Sequence, residues 1–164
     1  MRPFLGGGDM IKEVDKYETH YNELPFKFEA GTPNIADVVG FGASIDYLNN
    51  IGMSAVRAHE LDLIKYAMRR MTEIQGMTIY GPVQPSDRGG VIAFNLGDIH
   101  PHDLATIMDD HGIAIRSGHH CAQVLMRKLQ VSATSRVSFY IYNTKEEIDL
   151  FVQALDDARR LFKI

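Results

Sequence analysis

Helix signals and strand signals alternate along the chain from residue 53 onward, and no other feature constrains the fold as strongly. The predicted helices span 54–76, 101–111, 122–129 and from 144 onward, and the predicted strands span 78–80, 90–96, 113–116 and 135–141. In the first of these helices Leu61, Ile64 and Met68 follow the spacing of one helical face. Helices that bury such faces against one sheet form a two-layer α/β unit, which is the fold class expected here.

Four helix termini have specific sequence signals. Asn34 is a predicted N-cap, and Gly52 is a predicted end for the helix that follows it. Ser54 is the predicted cap of the next helix. Thr144 and Glu147 have the S/T-x-x-E spacing of a capping box, which predicts the start of the last helix.

Composition excludes several classes of function. The 164 residues suit one domain, or one domain with part of another, and the formal charge of −4 provides no basic surface for nucleic acid. No apolar run approaches the ~20 residues of a membrane span. One cysteine and eight methionines suit a reducing compartment, so we expect a cytoplasmic protein.

The single cysteine, Cys121, lies in the segment RSGHHCAQ at positions 116–123. One thiol cannot form an internal disulfide, and positive charge from Arg116, His119 and His120 favours the thiolate, which is the nucleophilic form of cysteine. The segment joins a predicted strand to a predicted helix, where functional loops of α/β folds concentrate. We interpret Cys121 as a nucleophile; the alternative is a small buried apolar side chain.

Metal binding is a competing hypothesis for the same segment. His119, His120 and Cys121 are potential ligands, and His100 and His102 are candidates for further ones. Structural zinc sites usually space their ligands by two to four residues, whereas consecutive side chains diverge, so this hypothesis is the weaker one. The alternative for His100 and His102 is a turn at the start of a helix.

Two other positions have a functional and a purely structural interpretation. Arg136 interrupts an apolar strand, either as an edge-strand side chain in solvent or as a guanidinium that binds a carboxylate through two parallel hydrogen bonds. Thr32 lies in the loop FEAGTPN at 28–34, just before a predicted helix, which is either a plain capping loop or a phosphate site.

Six segments together resemble the C-terminal part of Suf-type cysteine desulfurases, a group that includes enzymes similar to selenocysteine lyase. The segments are GGGDMI (6–11), FEAGTPN (28–34), GGVIAFN (89–95), HPHDLA (100–105), GIAIRSGHHCAQ (112–123) and SRVSFYIYNTKEEID (135–149). They occur in the family's order and extend over nearly the whole chain. Val124 departs from the pattern, because the family usually has proline there.

The resemblance implies a homodimeric enzyme of the aspartate aminotransferase fold (fold type I) that depends on pyridoxal 5'-phosphate (PLP). Such enzymes convert L-cysteine, or alternatively L-selenocysteine, to L-alanine and pass sulfur to an acceptor protein of the Suf system for iron–sulfur cluster assembly. By position, Cys121 would become the persulfide, Arg136 would bind the substrate carboxylate, and Thr32 would reach the cofactor phosphate of the partner subunit's site. The residues expected to line the cysteine pocket and contact substrate are Arg116, His119 and His120.

The same resemblance implies that part of the active site lies outside this chain. None of the seven lysines has the sequence setting of the family's cofactor lysine. We therefore expect residues 1–52 to be the remnant of a large PLP-binding domain and residues 53–164 to be the small domain. The chain alone is expected to be inactive. The alternatives are a standalone sulfur-carrier or thiol-relay domain and a small metal-binding module.

Overall fold

A computed structural model describes residues 1–164, and the chain divides into two compact units, Met1–Ile51 and Gly52–Ile164. The structural division follows Ile51, one residue before the boundary predicted from the sequence. The assignment of these units to a large and a small domain stays a prediction.

The first unit combines a small hairpin with one long helix. Its elements are β1 (Ile11–Val14), β2 (Thr19–Tyr21), a short 3₁₀ helix (Phe26–Phe28) and α1 (Ile35–Ile51). The two strands pair antiparallel. Asn34 caps α1 as predicted, because its Oδ1 accepts a hydrogen bond from the amide of Asp37 at 3.3 Å. No residue of α1 is buried, although the helix is rich in apolar side chains.

The second unit contains one four-stranded sheet and four α-helices. Its elements are α2 (Met53–Thr72), β3 (Met77–Tyr80), β4 (Val91–Leu96), α3 (Pro101–Asp110), β5 (Arg116–Gly118), α4 (Gln123–Leu129), β6 (Thr134–Ser138) and α5 (Lys145–Phe162). The strand order is β3-β4-β6-β5, and every neighbouring pair is antiparallel. None of the helices combines the length and the apolar character that crossing a membrane requires.

The core of this unit lies between one face of the sheet and the helices. Along β4 the side chains alternate, so that Ile92, Phe94 and Leu96 are fully buried on the core face. The helical residues that pack into the same core include Ile64 and Met71 of α2, Leu104 and Met108 of α3, and Ile148 and Leu155 of α5. The predicted two-layer α/β arrangement is therefore confirmed.

The predicted boundaries of α2, β5 and β6 are wrong. Ser54 does not cap α2, because the helix already begins at Met53 and Gly52 occupies the N-cap position with a φ of 87°. The strand predicted over 113–116 instead spans Arg116–Gly118. The amide of Ile113 donates to the carbonyl of Met108 at 2.9 Å, so the start of this segment closes the end of α3.

The strand predicted over 135–141 is also displaced, and β6 ends at Ser138. The amide of Tyr140 donates to Oδ1 of Asn143 at 2.9 Å, which turns the chain toward α5. At the start of α5 the predicted capping box is confirmed, with Thr144 and Glu147 each accepting from the other's backbone amide.

Candidate active site

Cys121 lies in a tight turn between β5 and α4. The carbonyl of His119 accepts a hydrogen bond from the amide of Ala122 at 2.8 Å, which closes the turn. The two central residues, His120 and Cys121, have φ values of 55° and 58°. Residues other than glycine are strained in this left-handed region, and such strain concentrates at functional sites. The turn holds the cysteine in a conformation that its own backbone disfavours.

The thiol of Cys121 is accessible. The residue is exposed and lines an open cavity of about 830 Å³. The other lining residues are His119, Ala122, Gln123, Val124, Leu125, Arg127 and Lys128. The alternative interpretation of Cys121 as a buried apolar side chain is therefore wrong.

The polar face of the sheet lies opposite the core, and we define it by Tyr80, Asn95, Arg116, Thr134 and Arg136. Strand alternation assigns these residues to one face, because their neighbours on β4 and β6 point into the core. The register pairs Arg116 of β5 directly with Arg136 of β6.

Arg136 does not occupy an edge strand, because β6 lies between β4 and β5. The edge-strand interpretation is thus wrong, and the side chain is half-buried. Like charges placed directly opposite each other destabilise an antiparallel pair, yet neither Arg116 nor Arg136 has a carboxylate partner in the structure. Two guanidinium groups without a counterion form a site suited to an anion such as a carboxylate.

Three buried polar atoms on or against the polar face lack a hydrogen-bond partner. They are Nε of Arg136, Nδ1 of His120 and Oδ1 of Asn95. A buried polar group without a partner costs about 1–3 kcal/mol, so such groups are rare unless a ligand or water completes them. Because they lie on or against one face, this face is a candidate site for ligand binding.

The sequence interpretation missed Asn95. Its Nδ2 donates to the carbonyl of Ala133 at 3.2 Å and to the hydroxyl of Tyr80 at 3.3 Å. The signal that could have identified it is an asparagine between two buried residues, Phe94 and Leu96, because asparagine is depleted in strands.

His120 connects the thiol turn to β6. Its Nε2 lies 3.0 Å from both the carbonyl oxygen and the Oγ1 of Thr134, which is fully buried. Burial is the main cause that lowers the pKa of His120 from its ordinary value of 6.5, and the hydrogen bond to Thr134 opposes it. The positive charges of Arg136 and Arg116 and the ring of His119 lower this pKa further. The imidazole is therefore neutral at pH 7.

Charge is distributed unevenly around this site. Residues 112–136 contain four arginines and lysines and no aspartate or glutamate, although the whole chain has a formal charge of −4. The segment carries the thiol turn, both arginines of the polar face and the cationic end of α4. A local positive field of this kind attracts anionic substrates.

His100 and His102 have structural roles. His100 is the N-cap of α3 and accepts from the amide of His102 at 3.3 Å, which confirms the predicted turn at a helix start. His102 Nδ1 lies 3.1 Å from the hydroxyl of Ser117 and so ties α3 to β5. No group of three or more histidine, cysteine, aspartate and glutamate side chains in the structure is arranged to hold a metal ion.

The structure brings together five of the six residues predicted for the site, all in the second unit. They are Arg116, His119, His120, Cys121 and Arg136. Thr32 belongs to the first unit, where it is exposed in the loop before α1.

The sequence is similar to one family model and to several curated proteins. The sequence model of the aminotransferase class-V family matches residues 1–151. The chain is 50% identical over 162 residues to a probable cysteine desulfurase of Halalkalibacterium halodurans, which covers 99% of this chain and 39% of the relative. The chain thus spans about 39% of the length of the curated relatives it matches.

Two solved structures share the fold. The apo cysteine desulfurase of Thermococcus onnurineus matches 95% of this chain and 39% of its own length with a TM-score of 0.88 and 40% identity. The cysteine desulfurase CsdA of Escherichia coli, in an S-sulfonic acid form, matches 98% of this chain and 39% of its own length with a TM-score of 0.89 and 34% identity. These likenesses confirm the fold class predicted from the sequence.

Proposed function

The chain belongs to the aminotransferase class-V family, and from this premise we propose that it is the C-terminal part of a PLP-dependent cysteine desulfurase. The names of its relatives support this activity, and the parent enzyme would convert L-cysteine to L-alanine. Because the chain spans about 39% of those relatives, the complete activity belongs to the longer polypeptide.

Cys121 is the proposed sulfur acceptor, and its exposure on a strained turn is the observation that carries this assignment. The thiolate of Cys121 attacks the sulfur of the substrate. An S–S bond forms as the substrate C–S bond breaks, and the sulfur remains on Cys121 as a persulfide. This step needs an accessible sulfur atom held at a fixed position, which the turn between β5 and α4 provides.

Arg136 and Arg116 are the proposed carboxylate site. The two residues occupy directly opposite positions of β5 and β6, on one face of the sheet and without an acidic partner, so a substrate carboxylate can bind both. Binding at this face would place the amino acid beside the thiol turn, since His120 hydrogen-bonds to Thr134, two residues from Arg136. His119 lines the thiol cavity and is proposed to contact substrate there.

The phosphate is the only group of PLP for which this chain offers a candidate binding residue. Thr32 is exposed just before α1, and a hydroxyl together with free amides at a helix N-terminus suits a phosphate. All seven lysines are exposed or half-buried, whereas a lysine that binds PLP is usually desolvated. PLP supplies the electron sink for this chemistry when it is bound. We propose that its lysine lies elsewhere in the parent and that this chain alone is inactive.

The subgroup of the parent enzyme, its sulfur acceptor and its cellular role are also proposals. The segments RSGHHCAQ and YNTKEEID support the Suf-type group, an acceptor protein of the Suf system, and a role in iron–sulfur cluster assembly. We further propose a homodimeric parent in the cytoplasm, with L-selenocysteine as an alternative substrate. In such a dimer Thr32 would serve the partner subunit's cofactor.

The test uses the complete parent enzyme with Cys121→Ala. We expect L-cysteine to yield no persulfide on the enzyme, as read by mass spectrometry, while the visible absorption of the bound cofactor stays unchanged. Persulfide formation in the variant would refute the assignment of Cys121, and absence of desulfurase activity in the unmutated parent would refute the function. Uptake of sulfur from a persulfide donor by a parent without that activity would instead support a thiol-relay domain.

A further inference from the structure

We propose that His120 is a positioning residue that couples the thiol turn to the carboxylate site. Its Nε2 is anchored on Thr134, and its Nδ1 accepts a hydrogen bond from Nε of Arg136 when a carboxylate engages that guanidinium. This inference rests on the proposed function, because it states how the carboxylate-binding group and the sulfur acceptor are held in one arrangement.

The anchor determines which nitrogen of His120 is protonated. A carbonyl oxygen can only accept, so the Nε2 that lies 3.0 Å from the Thr134 oxygen carries the hydrogen in the neutral ring. Nδ1 then has a bare lone pair and is a hydrogen-bond acceptor. Thr134 is fully buried and pairs with Gly118 across β5 and β6, so the anchor point is rigid.

The atom that Nδ1 would accept from lies on the same face. Nε of Arg136 is a buried donor without a partner, and Nδ1 of His120 is a buried acceptor without a partner. Arg136 follows the anchor residue Thr134 by two positions, so both side chains project from one face of β6. Of the three guanidinium nitrogens of Arg136, only Nε is both buried and without a partner. A carboxylate can therefore bind the two terminal nitrogens from solvent, while Nε stays available to His120.

The surroundings of His120 keep its ring neutral. The charged and titratable groups that face it are Arg136 on β6, Arg116 on β5 and His119 in the turn. All three disfavour a protonated imidazole, and burial lowers the pKa of His120 in the same direction. Protonation would convert Nδ1 into a donor, which cannot pair with the Nε–H of Arg136.

Alkylation of Cys121 in the unmodified 164-residue chain tests the proposal without cofactor. Iodoacetate carries a carboxylate and iodoacetamide is its neutral counterpart, so the ratio of their rates reports carboxylate recognition beside the thiol. The chain contains one cysteine, so all thiol alkylation occurs at Cys121. At pH 8 His120 is neutral, and His120→Gln keeps an amide donor for Thr134 without a change of charge. With that donor in place, the acceptor oxygen of glutamine lies away from the position of Nδ1.

We expect His120→Gln to lower the iodoacetate-to-iodoacetamide ratio about threefold to tenfold, the net effect of one hydrogen bond. Arg136→Gln should lower it at least as far. The control is His111→Gln, which replaces an exposed histidine at the end of α3 and should preserve the unmutated ratio. An unchanged ratio in a folded His120→Gln chain would overturn the proposal, and would leave Oδ1 of Asn95 as the partner of Arg136.

A second measurement needs no variant of His120. Two-bond ¹H–¹⁵N spectra of the unmutated chain should show the Nε2–H tautomer, with an Nδ1 resonance that moves saturably as acetate is added. Arg136→Gln should abolish that movement. A static Nδ1 resonance at saturating acetate would overturn the proposal. A parent without desulfurase activity whose chain still shows the acetate response would refute the function but retain the role of His120.

Discussion

At the scale of single residues, the backbone conformation of the thiol turn lowers the stability of the chain. Cys121 has a φ of 58°, a conformation that costs roughly 1–2 kcal/mol for a residue with a side chain. Glycine or asparagine would occupy the position at lower cost. Strained residues of this kind are common at functional sites, which supports the proposed role of Cys121.

Replacement of Cys121 by glycine should therefore stabilise the chain. We expect Cys121→Gly to raise the free energy of unfolding by about 1 kcal/mol, because glycine adopts the left-handed conformation without strain. Urea denaturation of the 164-residue chain measures the difference, with Cys121→Ala as the control that keeps a Cβ. A destabilised glycine variant would contradict the idea that strain is stored at this residue.

Arg136 should matter chiefly for substrate binding. In the parent enzyme Arg136→Lys keeps the charge but loses the planar fork, so kcat/KM for L-cysteine should fall by about 10- to 100-fold, mainly through KM. Steady-state kinetics with Arg136→Lys beside Lys65→Arg, an exposed cation of α2, separates geometry from charge. Unchanged kinetics for Arg136→Lys would contradict a bidentate carboxylate contact.

His120 should make stability depend on pH. Its folded pKa lies below 6.5, so as pH falls through 6.5 the unfolded state takes up a proton before the folded state does. The contribution of His120 to stability is thus complete above pH 6.5 and decreases below it until the folded pKa is reached. We expect the free energy of unfolding to decrease from pH 7.5 toward lower pH, and His120→Gln to remove part of that slope. Denaturation curves at several pH values test this, and identical slopes would contradict it.

At the scale of elements, α5 shows how local sequence and packing cooperate. Thr144 and Glu147 form the capping box, while Ile148, Phe151 and Leu155 lie in the core. The cap specifies where the helix begins and the apolar stripe specifies which face is buried. Both features were predictable, because each depends on residues within one or two helical turns.

A single substitution should measure how much the capping box contributes to the stability of the chain. We expect Thr144→Ala to destabilise the chain by about 1 kcal/mol, since the amide of Glu147 loses its acceptor. Thr144→Ser keeps the hydroxyl and should remain close to the unmutated stability. Thermal or urea unfolding distinguishes the two variants, and equal losses would indicate that the methyl group of Thr144 matters more than its hydroxyl.

At the scale of the whole molecule, the first unit leaves much apolar surface exposed. Ile35, Val38, Val39 and Phe41 of α1 are each more than 60% exposed, which is unusual for neighbouring apolar residues of a soluble helix. Exposed apolar patches of this kind promote association.

We therefore expect the 164-residue chain to self-associate as its concentration rises. Val38→Glu combined with Phe41→Glu should weaken the association, because the substitutions charge the exposed face of α1. Sedimentation velocity over a concentration series measures it. Gln153→Glu, on the exposed side of α5, adds charge elsewhere and serves as the control. Equal weakening by the control would show that net charge, rather than the face of α1, governs association.

Local patterns in the sequence were enough to predict the helices, the strands β3 and β4, and the caps of α1 and α5. These features depend on residues close together in the chain, where helical period, capping chemistry and turn residues act directly. The boundaries of α2, β5 and β6 were wrong by a few residues, because they depend on which distant amides and carbonyls pair.

Only the tertiary structure decided how the site is assembled. Strand order moved Arg136 from an expected edge to the middle of the sheet, and register placed it opposite Arg116. The same pairing brought His120 onto Thr134 and left three buried polar atoms without partners. A shift of one residue in register would send every side chain of a strand to the other face. Pairing between segments distant in sequence, which local patterns do not encode, therefore assembles the proposed carboxylate site.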